Sequence, residues 1–575
     1  MEKIPFPMHH SPRVWLSTRL TRLPPGNGTA ATGHGHFHFA RSKIPISKIP
    51  PAYRCADMYI EKRDGFIRSF HPACRAALGV VIGLLLAAGP AQAGQFFGFE
   101  HAVEIARRKV AQPHVEPPSN LPRQLAELDY QGYYGRIHYR PEKALWAGTG
   151  LPFQAQMFHP GHYFTRSVRV NLIDEKGVRQ LPFDRDLFQY LDPALRDAVP
   201  PAFGYAGVRL HSPLNVPGRF DDLIAFLGGT YFRALGKDQH YGLSARGVAL
   251  DTAESGGEEF PHFTEFWLVK PAPDAQTVEL FALSESPRMV GAHRFVVRPG
   301  ATTQVDCEVA LFFRNGVSKV GIAPLTSMFF YGENTAKDRT PSSAAFYPEV
   351  HDSDGLSVLT GGGEWIYRPL TNPQKLLVSS FSTQGPKGFG LLQRDRNFDH
   401  YLDLKHEYER RPSLWVEPLD DWGKGRVELV QIPTDADQND NIVAYWVPER
   451  SPVTGDQIRM RYRLHWYVDP TVFRAGGGAT ATRMRTLSNG GRRFLVVFAG
   501  PTLEGLDASQ PPEALVTVGD GRGVSDVQVR RNPYDASWWV EFTVPSGGNN
   551  PLELRAYLKR GNDFLTETWS YLLEP

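Results

Sequence analysis

From about residue 150 onward, apolar and polar side chains alternate in short runs. The segments "HYFTRSVRVNLID", "HRFVVRPG", "TTQVDCEVALFFRNG", "KLLVSSFST", "RVELVQIP" and "IRMRYRLHWYV" combine this alternation with β-branched and aromatic residues. Gly, Pro, Asn and Asp bound them. Alternation puts every second side chain on one face of an extended chain, so these runs predict half-buried strands. One stretch departs from the pattern: in "GFEHAVEIARRKVAQ", Phe99, Val103, Ile105 and Ala106 recur at helical spacing and predict an amphipathic helix. Many strands, frequent turn signals and few helices define an all-β class built as a β-sandwich.

The strand rhythm breaks at "FRAGGGATATRMR", Phe473 to Arg485, where glycine and small residues predict a linker. The preceding residues 94–472 are expected to form one large sandwich with long loops. Beyond the break, "RRFLVVFAG", "EALVTVGDGRGVSDVQVRR", "ASWWVEFTVP", "PLELRAYLKRG" and "LTETWSYLLEP" crowd short strands into residues 486–575. That size fits an immunoglobulin-like sandwich, without the disulfide of antibody domains because no cysteine lies there.

The amino-terminal part follows other rules. Lys62, Arg63, Arg68 and Arg75 precede an apolar run, Ala76 to Ala88, that ends in Ala91-Gln92-Ala93. This is the plan of a secretory signal peptide over residues 58–93, starting at Met58 and cleaved after Ala93. The run is short for a bilayer span. Residues 1–57 carry no periodicity and are expected to be a non-structural or misassigned upstream segment; His34, His36 and His38 there have metal-binding composition but would leave with the leader.

Cleavage changes the electrostatic picture. The whole chain has 63 basic and 61 acidic residues; taking away the 12 and 4 in residues 1–93 leaves 51 against 57, a net charge of −6 in place of +2. The apparent basicity belongs to the leader, so composition gives no support to a nucleic-acid partner. Cys307 is the one cysteine left after the leader's Cys55 and Cys74, so no intramolecular disulfide can form.

Familiar catalytic motifs are missing. The chain has no phosphate loop and no H-E-x-x-H zinc helix, and "GLSARG" lacks the nucleophile-elbow spacing of a serine hydrolase. Asp435, Asp437 and Asp440 fail as a calcium loop, because the sixth and twelfth positions are Asp440 and Trp446 where glycine and glutamate belong. No cofactor or metal is called for. What remains is carboxylates among aromatics: the aspartates of "QIPTDADQNDNIVAYW", then Glu349, Asp352 and Asp354 in "PEVHDSDGLSV", with Glu364, Trp365, Tyr367 and Arg368 nearby. Aspartate is a common turn residue, which explains the same letters by backbone hydrogen bonding. Paired carboxylates with aromatic platforms also equip glycoside hydrolysis.

Longer motifs decide between these. "YGLSARGVALDTAESGGEEFPHFTEFWL", "GIAPLTSMFFYGEN", "HDSDGLSVLTGGGEWIYRPLTNP", "GFGLLQRDRNFDHYLDL", "RRPSLWVEP", "WGKGRVELVQIPT", "NDNIVAYW" and "LTETWSY" occur in order. Together they resemble the periplasmic glucan biosynthesis protein G/D family, over about Phe97 to Pro575. The resemblance implies a periplasmic protein with a mutarotase-like supersandwich followed by a small immunoglobulin-like domain. It further implies a role in osmoregulated periplasmic glucan synthesis, with anomer-inverting hydrolysis or transglycosylation of β-1,2-glucan chains. It places the general acid on Asp440 and the base-side carboxylate on Asp352, the latter acting through a hydroxyl or water, and puts Tyr408 in the substrate cleft. An acid at Asp440 needs a raised pKa, for which Trp446, Tyr445, Asp437 and Asp435 are candidate neighbours. Trp365, Arg368, Arg394 and Trp446 have the chemistry for sugar stacking and hydroxyl recognition. The competing expectation is a non-catalytic glucan-binding factor that assists backbone export or branching beside a membrane glucosyltransferase.

Overall fold

The computed structural model describes residues 97–116, 119–548 and 550–575. The expected signal peptide and the histidines upstream of it lie outside these residues. Phe99–Val110 forms the amino-terminal helix and buries Phe99, Ala102, Val103 and Ala106. Ile105, expected in that stripe, is half-buried, because the buried face runs through Ala102. Arg314 caps the helix, donating to the Lys109 and Gln112 carbonyls at 2.9 and 2.8 Å.

Two sheets make the body. A ten-stranded antiparallel sheet runs from Gln154–Phe158 through Gly207–Ser212, Asp221–Leu227, Tyr231–Ala234, Ser244–Arg246, Val320–Ser327, Ile442–Pro448 and Lys424–Gln431 to Leu377–Gln384, with Ala249–Leu250 paired to Val320–Ser327. Facing it is a longer sheet whose middle is formed by Met289–Arg298, Thr303–Phe313 and Gln457–Tyr467. Alternate side chains from each, such as Leu210, Phe226, Leu429 and Trp446 from the first and Phe295, Val309 and Trp466 from the second, fill one core. Cys307 is a free, buried thiol within it. The protein is all-β, as its alternating pattern predicts.

The carboxy-terminal residues form a second sandwich. Gly478–Thr486, Arg492–Ala499, Trp538–Val544 and Ser525–Arg531 make a four-stranded sheet. Glu513–Val518, Leu552–Arg560 and Thr568–Leu573 cover it, enclosing Phe494, Trp538, Phe542 and Trp569. The segment 473–485, read from sequence as a linker, is largely the strand Gly478–Thr486, with Ala479 and Thr482 turned inward. Its glycines serve close packing: a Cβ on Gly477 would sit 2.6 Å from the Leu565 carbonyl oxygen. The sandwiches also share a sheet, since Ile366 and Tyr367 pair in parallel with Thr568 and Trp569.

Candidate active site

Asp440 stands just before Ile442–Pro448, where that strand meets Val320–Ser327 in the register Ile442 to Ser327. Its neighbour Asn441 is buried and fully engaged. The Asn441 side chain accepts from the Phe329 N–H at 2.8 Å and donates to the Phe329 and Ile432 carbonyls at 3.0 and 3.1 Å. Phe329–Tyr331 pairs in turn with Val350–His351, matching Phe329 to His351. The next residue, Asp352, donates its N–H to the Met328 carbonyl at 2.9 Å. Both acids therefore hang from one short strand, Asp440 through Asn441 and Asp352 through backbone pairing.

Their surroundings differ. Asp352 is 1 % exposed and ion-paired with Arg411. Arg411 also donates to the His406 carbonyl at 3.2 and 3.3 Å and lies 4.1 Å over the Tyr408 ring. Gly242 makes room for it, because a Cβ there would come within 2.9 Å of the Arg411 Cβ. Asp440 keeps some exposed surface, yet burial pushes its carboxyl up to about 7. The Asp352 charge pushes the same way, while Arg233 and Arg411 oppose it. Arg233 comes from Tyr231–Ala234, two strands across the sheet from Val320–Ser327. Tyr231 closes this side: burial raises its phenol pKa, and the Asp440 charge adds to the effect.

Tyr408, placed by the resemblance in the substrate cleft, lies near Asp352 but is 1 % exposed. Its ring is buried with Met328, Tyr331, Val350 and Tyr401. Burial pushes its phenol up; Asp352 and Asp437 add to this, and Arg411 opposes it. The remaining expectations need correction. Trp446 is wholly buried in the large core near Trp422, where no sugar can reach it. Tyr445, expected beside the acid, donates instead to Glu428 at 2.9 Å. Trp365 packs on Trp415 at 5.4 Å and borders the carboxy-terminal core. Arg368 bonds Ser570 at 2.7 Å and pairs with Glu553. Arg394 grips Glu567 at 2.5 and 2.9 Å and lies 3.8 Å over the Tyr367 ring. These three residues join the two sandwiches. A tryptophan or arginine suited to sugar is equally suited to closing a domain joint, and sequence carries no mark of which it does.

Arg411, Arg233 and Asn441 went unrecognised as parts of the site. The last flanks Asp440 in "NDNI" and Arg411 ends the doublet of "RRPSLW", so the motifs held them, but their roles depend on partners far along the chain. Among the described residues, Glu349, Asp395 and His400 bring ligand-type atoms within 4.8 Å of one another. Hydrogen bonds already occupy the group, His400 to Asp395 at 2.5 Å and His351 to Glu349 at 2.9 Å.

The fold and site define a two-sandwich β protein with a carboxyl of raised pKa and an ion-paired carboxylate at the end of one sheet. The model of the family "Periplasmic glucan biosynthesis protein, MdoG" matches residues 97–573, and the chain belongs to that family. It is 46 % identical over 508 residues to "Glucans biosynthesis protein G" of Ralstonia nicotianae, covering 85 % of this chain and 99 % of that one. The protein of the same name from Sodalis glossinidius is 41 % identical over 526 residues, covering 88 % and 98 %. That from Pseudomonas putida is 40 % identical over 488 residues, covering 82 % and 86 %.

Proposed function

We propose that this member of a periplasmic glucan biosynthesis family breaks β-1,2-glucan chains with inversion at the anomeric carbon, passing the fragment to water or to a sugar hydroxyl. The observation that carries the reading is Asp440, a carboxyl that burial pushes up to about 7, within electrostatic reach of a second, ion-paired carboxylate. Two carboxyl groups with contrasting environments are the pattern of an acid and a base. Asp440 gives its proton to the glycosidic oxygen as the C1–O bond breaks. Water attacks C1 from the opposite face, and its proton passes towards Asp352. Tyr408, within electrostatic reach of Asp352 and with its ring under the Arg411 guanidinium, is a candidate to relay it. With a sugar hydroxyl in place of water, the same steps transfer the chain.

The test is mass spectrometry of linear β-1,2-glucan incubated with residues 94–575, beside Asp440→Asn. Shorter linear chains from the parent alone support hydrolysis, and cyclic or redistributed chains support transfer. Glucan that binds yet stays unchanged in both samples overturns the enzymatic reading in favour of a carrier that hands chains to a membrane glucosyltransferase.

A further inference from the structure

His351 precedes Asp352 and is 1 % exposed. Its Nδ1 lies 2.9 Å from Gln393 Oε1, and its Nε2 lies 2.9 Å from Glu349 Oε2. The Gln393 amide is oriented by its other contacts: Nε2 faces two carbonyl oxygens, that of His351 at 2.9 Å and that of Tyr408 at 3.2 Å, so it must donate to both. Oε1 is then the acceptor, and the His351 Nδ1 carries a proton. The other ring nitrogen meets Glu349 Oε2, and an ionised Glu349 can only accept there, which puts a second proton on Nε2. An imidazole that donates from both nitrogens is an imidazolium.

We propose that His351 is a positioning residue, held as an imidazolium between Glu349 and Gln393, that locks the turn carrying Tyr408 to the strand ending in Asp352. The proposal rests on the roles given above to Asp352 and Tyr408. Gln393 is the physical link, since one amide nitrogen spans backbone carbonyls on both sides. Ser413 fixes Gln393 itself, accepting from its N–H at 3.0 Å. The ring is held flat by Phe329, stacked at 5.3 Å, and edge-on by Tyr401 at 5.2 Å. A neutral ring could rotate its proton pattern; a doubly donating one, with an acceptor at each nitrogen, has a single arrangement.

The charges around it agree. Burial works against a charged His351, but the bond and charge of Glu349, with the charge of Asp354, outweigh it and raise its pKa. Glu333 and Asp395 line the same cavity of about 30 Å³ as Glu349, His351 and Asp354. The cationic Arg411 is paired with Asp352.

Neutron diffraction from crystals of the parent at neutral pH is expected to show deuterium on both ring nitrogens of His351. Glu349→Gln, which keeps the shape and drops the charge, should leave deuterium on Nδ1 alone. Gln393→Leu and His351→Gln should each lower kcat by about 100-fold with KM changed less than about twofold, as expected for displaced catalytic groups, and crystal structures should show the Tyr408 turn shifted against Asp352. A single deuteron in the parent, or Gln393→Leu with parental kcat and geometry, overturns the proposal. If the parent leaves β-1,2-glucan untouched, the catalytic reading fails separately, and the deuterium and structural results still decide this one.

Discussion

At the scale of single residues, the proton on Asp440 sets the pH behaviour. A carboxyl at about 7 in the folded protein stands above the unfolded value near 3.9. Between those values the native state holds a proton that the unfolded chain releases, so this group lowers stability as pH rises from about 4 to about 7. Asp440→Asn should therefore raise the thermal midpoint at pH 8 and change it little at pH 4. The same substitution should lower glucan turnover by about 10²–10⁴-fold, the usual reach of general acid catalysis. Parental turnover should itself decline as pH passes about 7, read from a pH–rate profile. Gly242→Ala makes a second test, because the new Cβ meets the Arg411 Cβ at 2.9 Å. Overpacking of this kind costs about 1–3 kcal/mol. It should slow turnover by moving Arg411 and, because the Arg411 charge acts on Asp440, should also shift the Asp440 limb of the profile; unchanged kcat and stability would show that Arg411 yields freely. Long motifs put Asp352 and Asp440 forward as the candidate acids in sequence. Arg411 and Asn441 were not put forward, since their partners Asp352 and Phe329 lie 59 and 112 residues away.

Between elements, the same logic explains what the arginines and tryptophans do. Trp365–Pro369 is the strand at which the long sheet passes from one sandwich to the other, and Arg368 and Arg394 tie it and its neighbours to Glu553 and Glu567. Glu567 is wholly buried and also accepts from the Ala479 N–H at 2.8 Å. Removing one partner of a buried pair strands the other charge, so Glu567→Ala should cost about 3–5 kcal/mol in denaturant unfolding. Arg394→Met with Glu567→Gln, which removes both charges, should recover part of that loss. Equal destabilisation by the single and double variants would count against the pair as the source. Strand and helix periodicity were readable, as the helix Phe99–Val110 shows, because they follow from local burial. The joint was not, because glycine-rich "AGGG" looks alike whether it loosens a chain or lets two backbones touch. The turn that carries Tyr408 has a further cost that sequence does not announce: Glu407 adopts φ 44°, a left-handed conformation, while accepting from His240 and Arg410. Strain of this kind persists where the surroundings over-determine it, here beside the candidate site.

For the whole molecule, the shared sheet makes the two sandwiches one folding unit. The core under the four-stranded sheet is completed by Tyr367, Leu392, Trp415 and Tyr467, all from the larger sandwich. The parallel pairing of Trp365–Pro369 with Thr568–Leu573 gives that strand its second neighbour. A chain ending at residue 476 would expose those aromatic side chains and turn the strand into an open edge, the kind that recruits other chains. Two sandwiches joined by a flexible linker would unfold in separate steps. Joined as they are, residues 94–575 should give one calorimetric transition with the van't Hoff enthalpy close to the measured one. The truncated chain should be recovered as aggregate, since nothing else covers its edge. Two resolved transitions in the longer chain, with a soluble and folded residue 94–476 fragment, would show that the joint is a contact between independent domains. The outcome bears on the site as well, because Arg394, held by Glu567, donates its N–H to Asp354, two residues beyond Asp352. A variant that loosens the joint should therefore lose turnover before it loses the fold.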